Sequence, residues 1–529
     1  MRAIRTLLIL SHRYIGIPLS FMFVVWFVSA FFMIYTGGMP RITQEMQVDG
    51  ATPLDFSRVA VTPGQARDTI GYTSSSVSLR TVMGRPVYEF REPGYDNALL
   101  YADTGERIAD VTEADAARIA SDFLAIPQQQ FRYVGTIHDV DQWTLTQRAD
   151  LPMHKFAADD GLGTEVYVSV PNAEVSVYTT TQSRALAWLG TIPHWLYFTS
   201  LRLNQPLWYE VMVWAATLGC VMAVLGLALA FTQYRKTQPF ELKRAIPYRG
   251  LMRWHYILGA VFGVFTLTWV FSGLLSMEPY AWTNSRGIAV DPALYAEGDL
   301  DLAAFPPIAQ IDWQELAGTN EIKQVEFQWI GGAPFLLANY SVPADAGSEK
   351  RDRLHQPYNI VGQSDAESML VDARSGRAVS GFDQDELVAK LDAAVDAAVT
   401  DVTLLDDYDD YYYSRGGQLP LPAVRVKFDD PAQSWVYVDP ERSELLTIIT
   451  GASRVERWLY NGLHSLDFAF WYHKRPLWDI GVILLLLGGL GMSVLGLYFG
   501  LRRAKHDVVT LARKLKGSPS LEEPAHASS

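Results

Sequence analysis

The sequence predicts a membrane protein with a four-helix transmembrane bundle, built from two tandem repeats about a pseudo-two-fold axis, that carries α+β lobes on one side of the bilayer. Three observations predict this fold class: four long apolar segments without charged residues, Lys and Arg concentrated in three short segments, and an internal repeat. The composition supports it, because 49% of the 529 residues are hydrophobic and only 19% are charged, less than in a typical soluble domain.

Four apolar segments are long enough to cross a bilayer. A helix needs about 20 residues to cross about 30 Å of hydrocarbon. No Asp, Glu, Lys or Arg occurs between Arg13 and Arg41, Glu210 and Arg235, Arg253 and Glu278, or Asp479 and Arg502. The predicted helices lie near residues 13–36, 208–232, 254–277 and 478–501.

The positive charges predict the orientation of these helices. Lys and Arg concentrate in the N-terminus, in the 233–253 linker and in the 502–529 tail, which we therefore expect in the cytoplasm. The long segments 37–207 and 278–477, which carry most of the acidic residues, are then outside. We therefore expect a multi-pass protein of a bacterial inner membrane, in contact with lipid. Residues 1–36 form its cytoplasmic N-terminus and first span, and residues 502–529 form a basic cytoplasmic tail that is disordered at its end.

An internal repeat relates the two halves of the chain. At a constant spacing of 270 positions, several residues around the second and fourth predicted helices recur. They include Arg184/Arg454, Trp188/Trp458, His194/His464, Asp139/Asp409 and the Pro-Leu-Trp runs at 206–208 and 476–478. The first and third helices match at a spacing of 243, with His12/His255, Gly16/Gly259, Trp26/Trp269 and Ser29/Ser272. Each half is therefore helix, exported segment, helix, in the same orientation, which predicts a pseudo-two-fold axis along the membrane normal.

Strand patterns dominate the exported segments. Residues 85–108 predict two strands and a turn, and residues 112–124 predict a helix with a capping box formed by Thr112 and Asp115. Residues 369–379 followed by 383–395 show the same order. We therefore expect α+β lobes with antiparallel strands and a packed helix.

Several classes of function are excluded. The formal net charge of −14 argues against nucleic-acid binding, which needs a basic face. The single cysteine, Cys220, excludes a Cys-ligated zinc ribbon and a Cys-ligated iron–sulfur cluster. No Walker A loop, no GxGxxG opening a helix after a strand, no HExxH and no GxSxG occurs. We recognise no flavin or nicotinamide site.

Five histidines lie in or beside the predicted helices: His12, His194, His255, His464 and His473. Four of them form two repeat-matched pairs, and matched residues face each other across a two-fold axis. Two facing imidazoles suit the axial positions of haem iron, and an apolar bundle suits the porphyrin. The alternatives are interfacial polar residues and a zinc site, which two histidines leave under-coordinated. His473 matches Leu203, so the repeat makes no prediction for it. It could be a replacement ligand, a substrate contact or an interfacial residue.

The segment 406–415 is acidic and aromatic. Its residues Asp409, Tyr411, Tyr412 and Tyr413 are candidates for contact with a cationic or metal-chelate substrate. The alternative is a loop that packs against its own lobe, and the recurrence of an Asp and an aromatic residue in the first half favours that structural role.

The motifs together resemble the PepSY-associated transmembrane family, and the resemblance covers nearly everything except the tail. They are SHRYIGIP (11–18), YADTGERIADVTEADAARIA (101–120), WLGTIPHWLYF (188–198), MRWHYILG (252–259), YDDYYYSR (408–415) and WLYNGLHSL (458–466). The family includes di-haem ferric-siderophore reductases of the inner membrane. The resemblance implies PepSY-like periplasmic lobes, two b-type haems with His12, His255, His194 and His464 as axial ligands, and one-electron reduction of Fe(III).

Two functions follow as hypotheses. In the first, the protein takes electrons from a quinol or a cytoplasmic donor at the His12/His255 pair and delivers them at the His194/His464 pair to a periplasmic ferric chelate, such as a ferric siderophore. Fe(III) is held far more tightly than Fe(II) by hard oxygen ligands, so one electron releases the iron. In the second, the protein is a non-catalytic membrane anchor or sensor whose lobes bind an exported protein.

Overall fold

The structure, a computed structural model, combines long apolar helices with antiparallel sheets. It describes residues 2–36, 38–71, 74–93, 97–239, 241–279, 287–341, 366–413 and 419–516. Its helices are α1 (Arg2–Thr36), α2 (Gln44–Gly50), α3 (Pro63–Ile70), α4 (Glu113–Leu124), α5 (Thr181–Leu189), α6 (Thr191–Trp195), α7 (Thr199–Arg202), α8 (Gln205–Gln233), α9 (Leu242–Ala245), α10 (Gly250–Leu275), α11 (Pro292–Ala296), α12 (Trp313–Ala317), α13 (Gln384–Ala393), α14 (Gly451–Glu456), α15 (Leu463–Ser465), α16 (Ala469–Tyr472) and α17 (Leu477–Lys516). A π-helical segment, Arg457–Gly462, connects α14 to α15.

All strands are antiparallel to their neighbours. They are β1 (Ser76–Val82), β2 (Arg85–Arg91), β3 (Ala98–Tyr101), β4 (Phe131–Ile137), β5 (Met153–Ala158), β6 (Glu165–Ser169), β7 (Glu174–Thr179), β8 (Glu321–Ile330), β9 (Ala333–Ser341), β10 (Ala366–Asp372), β11 (Arg377–Val379), β12 (Val399–Leu405), β13 (Ala423–Phe428), β14 (Trp435–Asp439) and β15 (Glu444–Ile449).

Four helices, α1, α8, α10 and α17, are long and apolar enough to cross a membrane, which confirms the four predicted apolar segments. All four begin earlier than predicted. The largest differences are that α1 begins at Arg2 and α17 ends at Lys516; the bilayer limits only the apolar part of a helix. Both α1 and α10 pack against α8 and α17. Small residues allow this close approach: a Cβ atom on Gly489 would lie 2.3 Å from the Phe27 ring. We call the helix ends that join the sheets the sheet side, and the opposite ends the terminal side.

The two long segments that follow α1 and α10 share a central seven-stranded sheet with the order β11-β10-β9-β8-β1-β2-β3. Strands β1 and β8 pair at its middle, with Val77 opposite Phe327 and Arg80 opposite Gln324. The first three strands of one segment therefore continue the ladder of the other. The sequence analysis treated each segment as a lobe of its own, and this shared sheet is a difference from that description.

Two four-stranded sheets, β4-β5-β6-β7 and β12-β13-β14-β15, flank the central sheet. Strands β5, β6 and β7 begin at residues 153, 165 and 174, and their counterparts β13, β14 and β15 begin 270 positions later, at 423, 435 and 444. A register irregularity also recurs, between Tyr167 and Val168 in one sheet and between Tyr437 and Val438 in the other. The repeat seen in the sequence thus recurs in the strand pattern of these sheets.

The first strands of these two sheets correct one repeat match. Strand β4 begins at residue 131 and β12 at residue 399, a spacing of 268 rather than 270. Asp141, and not the exposed Asp139, therefore takes the place of Asp409. The Tyr167 hydroxyl donates to Asp141 at 2.8 Å, and the equivalent Tyr437 hydroxyl donates to Asp409 at 3.2 Å.

One helix covers each flanking sheet. Helix α4 places Ile119 and Phe123 against Val166 and Val168 in one apolar core. Its capping box has both hydrogen bonds, between Thr112 and Asp115, as the sequence predicts. Helix α13 buries Leu387 and Leu391 in the corresponding core of the second sheet.

Candidate functional site

Four histidines occupy two levels of the helical part of the molecule. His12 lies on α1 and His255 on α10, both toward the terminal side. His194 lies on the short helix α6 and His464 on the short helix α15, both on the sheet side. Helix α6 comes shortly before α8 in the chain, and α15 comes shortly before α17. Both histidines therefore lie at the sheet-side end of the four long helices.

His194 and His464 face each other. Their ring centres are 6.2 Å apart and the rings are inclined at 80°. Two metal–imidazole bonds of about 2 Å each, in line through one metal ion, place two ring centres about 6 Å apart. The two rings are therefore close enough for both to bind one metal ion.

Two serines determine which nitrogen of these rings carries the proton. Nδ1 of His194 lies 2.9 Å from the Ser29 hydroxyl, and Nδ1 of His464 lies 3.0 Å from the Ser272 hydroxyl. Each hydroxyl donates its own hydrogen to a backbone carbonyl in its helix, that of Trp26 or Trp269. In this arrangement the serine oxygens accept from Nδ1–H, which leaves the lone pair on Nε2, the nitrogen that binds a metal. The Trp269 carbonyl, which can only accept, lies 3.2 Å from Nδ1 of His464 and favours the same tautomer.

Both rings are in the neutral form that metal binding requires. Removal from bulk water, together with the neighbouring His464, lowers the pKa of His194 to about 3. The same removal from water lowers the pKa of His464. At neutral pH the two Nε2 lone pairs are therefore available.

A cavity of about 520 Å³ has both rings in its wall. This volume is within the range of about 300–1,000 Å³ that cofactor and ligand sites occupy. The wall is mostly apolar and aromatic, with Phe23, Trp26, Phe27 and Trp269 among its members. Two charged side chains, Glu456 and Arg475, also lie in the wall, and both come from the second repeat.

In the second pair, His12 and His255, Nδ1 of each ring also faces a hydrogen-bond acceptor. Nδ1 of His12 lies 3.3 Å from the Met222 carbonyl, and Nδ1 of His255 lies 3.2 Å from the Met492 carbonyl, 270 positions further on. A carbonyl only accepts, so both rings carry the proton on Nδ1 and the lone pair on Nε2. The two rings are close enough to interact electrostatically.

Two glycines make room for these rings. A Cβ atom on Gly226 would lie 3.0 Å from the His12 ring, and one on Gly496 would lie 3.4 Å from the His255 ring. The glycines are 270 positions apart, so both repeats leave the same space beside their histidine.

His473 does not join either pair. Its side chain is exposed, and its ring contacts those of Tyr413 and Tyr472 at centre separations of 6.2 and 5.3 Å. Symmetry made no prediction for it, and it lies at the C-cap of α16.

The acidic and aromatic segment is divided between packing and surface. The Asp409 carboxylate accepts the backbone N–H groups of Tyr411 and Tyr412 and pairs with Arg425 at 2.7 Å. The Tyr412 ring is fully buried and stacks on Tyr437. These two side chains hold the loop, whereas Tyr411 and Tyr413 keep partial exposure. The last two residues of the segment, 414 and 415, lie outside the described residues.

The structure adds residues near His464 that the sequence analysis missed. Tyr460 stacks on the His464 ring at 5.2 Å. Arg457 and Asp467 form a buried ion pair at 3.9 Å, and the Tyr413 hydroxyl donates to Asp467. Tyr460, Arg457 and Asp467 are not shared with the first repeat. Their matched positions there hold Gly190, Ala187 and Tyr197, in that order. A difference between matched repeats is the signal that would have indicated them.

Comparison with known protein families and with curated proteins finds no match for this chain. The resemblance to PepSY-associated transmembrane proteins therefore stays a prediction from the motifs.

Proposed function

We propose that this protein is a haem-containing electron-transfer protein of a bacterial inner membrane that reduces a ferric chelate on its sheet side by one electron. The observation that supports this most is the state of the four histidines. All four have Nδ1 hydrogen-bonded to an acceptor, which leaves all four Nε2 atoms free to bind iron. Interfacial histidines would have no reason to share one tautomer.

The number of ligands favours a porphyrin over a bare metal ion. Each pair offers two imidazoles, and a porphyrin supplies the four remaining ligands of a six-coordinate iron itself. His194 and His464 would hold one haem and His12 and His255 a second. Bound haem would supply one-electron transfer, and the mostly aromatic and apolar wall would keep water away from it.

The two levels suit transfer across a membrane. We infer that the four long helices form a bundle whose pseudo-two-fold axis runs along the membrane normal, with the basic terminal side in the cytoplasm. Seventeen residues separate His12 from Ser29, the partner of His194, on the same helix, which is about 25 Å of rise. That distance is most of the hydrocarbon thickness, so the two pairs would stand near its two faces.

The exported sheets would then serve as the docking body. We propose that they are PepSY-like and that Tyr411 and Tyr413 contribute to the surface that meets the chelate. A quinol or a cytoplasmic protein would supply the electrons.

A reduced-minus-oxidised visible spectrum of the purified protein tests the haem proposal. We expect a b-type α-band, which decreases by about half in His464→Ala and by about half in His255→Ala, because each variant loses one of two haems. His473→Ala is the matched control and should leave the spectrum unchanged. A featureless spectrum of folded wild-type protein would refute the proposal and favour the anchor or sensor function.

The reaction is tested separately by mixing reduced protein with a ferric chelate under anaerobic conditions. We expect the α-band to disappear at the rate at which a ferrous-specific chromophore forms, with one Fe(II) for each haem oxidised. A haem that stays reduced while chelates of different charge are offered would contradict ferric reduction but not haem binding.

A further inference from the structure

Two arginines lie over equivalent tryptophans on either side of the sheet-side cavity. The guanidinium carbon of Arg202 is 4.5 Å from the ring centre of Trp208, and that of Arg475 is 4.2 Å from the ring centre of Trp478. Trp208 and Trp478 are 270 positions apart, and both line the cavity. Each cation therefore lies against a tryptophan of the cavity wall. Arg475 also lines the cavity itself, whereas Arg202 contacts the wall through Trp208.

The repeat match does not reveal this pair. At a spacing of 270, Arg202 is matched with Tyr472 and Arg475 with Gln205. One arginine precedes its tryptophan by six residues, at the end of α7, and the other precedes it by three. Each repeat thus places an arginine over its own copy of the matched tryptophan, but from a different position in the chain. The constant spacing of 270 therefore does not account for the two equivalent arginine–tryptophan contacts.

The tryptophans that carry these cations are themselves fixed. The indole N–H of Trp208 donates to the Trp195 carbonyl at 2.8 Å, and that of Trp478 donates to the Leu466 carbonyl at 3.0 Å. Each acceptor lies within two residues of a histidine of the pair. The position of each arginine is therefore tied, through one indole ring, to the loop that carries His194 or His464.

The two arginines retain donors for an anionic partner. Arg475 pairs with Asp479 one turn along α17, but a guanidinium has five N–H donors and one carboxylate does not occupy them all. Arg202 makes no ion pair with a carboxylate among the described residues. Contact with an aromatic face stabilises a cation but does not neutralise it.

We propose that Arg202 and Arg475 hold the two carboxylate groups of the porphyrin in the sheet-side cavity, one from each repeat. This inference rests on the proposed function. Protoporphyrin carries two propionates side by side on one edge, related by nearly the same symmetry as the two repeats. A carboxylate in a mostly apolar cavity is costly without a cation, and arginine binds carboxylate through two parallel hydrogen bonds.

Haem binding to the apoprotein tests the proposal. Apoprotein in detergent is loaded with iron protoporphyrin or with its dimethyl ester, and transfer of haem to excess apomyoglobin is followed in the Soret band. We expect Arg202→Gln and Arg475→Gln each to release the sheet-side haem about tenfold faster, because each loses a charge-assisted hydrogen bond. The Arg→Lys variants should recover part of the difference. The ester should leave the wild type and the double Gln variant at the same rate.

Three controls separate the possible outcomes. Lys474→Gln removes a neighbouring positive charge that lies over no tryptophan, and it should release haem as the wild type does. The haem of His12 and His255 is an internal control for folding, since its release should not change. Equal release from the double Gln variant and the wild type would overturn the proposal and leave lipid phosphate as the partner of these cations. Wild-type protein that takes up no haem at all would instead overturn the proposed function.

Discussion

The serine–histidine hydrogen bonds offer the sharpest test of the sheet-side site. Ser29→Ala and Ser272→Ala each remove the hydroxyl that accepts from Nδ1–H at 2.9 or 3.0 Å. Groups that orient metal-binding histidines are typically worth 10–100-fold in affinity, which is about 1.4–2.8 kcal/mol. We expect a value near the lower end, because His464 keeps a second acceptor, the Trp269 carbonyl at 3.2 Å.

Titration of the apoproteins with haem measures this effect. The expected result is a roughly tenfold rise in the dissociation constant of one haem in each alanine variant, with the threonine variants close to the wild type because they keep the hydroxyl. Ser493→Ala is the matched control: that serine is also buried in a long helix, but its hydroxyl donates to the Gly489 carbonyl and touches no histidine. If Ser29→Ala and Ser272→Ala bind both haems as the wild type does, the hydroxyls do not orient the rings and the tautomer argument fails.

Three further predictions concern other parts of the molecule. Gly226→Ala should weaken the binding of the terminal-side haem alone, because its Cβ would lie 3.0 Å from the His12 ring. Gly259→Ala, whose Cβ would have its nearest neighbour at 3.8 Å, should leave haem binding unchanged, and the measured haem stoichiometry distinguishes the two variants. Arg457→Ala should lower the midpoint of thermal unfolding by removing a buried partner of Asp467, a loss of about 3–5 kcal/mol, and an equally stable variant would contradict this role. Burial raises the pKa of Glu174 from 4.5 to about 7, so folding takes up a proton at this carboxyl between these pH values. The free energy of unfolding should therefore fall as pH rises from 4.5 to 7. Glu174→Gln should reduce this pH dependence, measured by urea unfolding at several pH values.

The sequence predicts the four helices of membrane-spanning length and the equivalence of His194 and His464, because both leave local or periodic signals. Charge-free gaps mark the helices, and the constant spacing of 270 marks His194 and His464 as equivalent. The ends of the helices are less predictable. Helix α17 continues to Lys516 because the segment after Gly500 contains neither Pro nor Gly and is rich in Arg, Lys, Ala and Leu, which favour a helix.

The shared sheet and the arginine pair could not be predicted from these signals. Strands β1 and β8 pair across more than 200 residues, and nothing in either strand alone specifies its partner. Arg202 and Arg475 occupy unmatched positions in the repeat, so their common environment is visible only once both tryptophans are placed. The two-residue shift from Asp139 to Asp141 has a similar origin, since a change in loop length between the repeats interrupts the constant spacing.

The pairing of β1 with β8 has a consequence for the origin of the chain. A single repeat, released from its twin, would leave β1 as an open edge with unpaired N–H and C=O groups, and such an edge readily adds another strand. Its best-matched partner would be the same strand of an identical polypeptide, in the antiparallel manner that two-fold symmetry imposes. The present molecule thus has the form of an ancestral homodimer whose subunits were later joined by gene fusion, after which each half was free to acquire side chains that the other lacks.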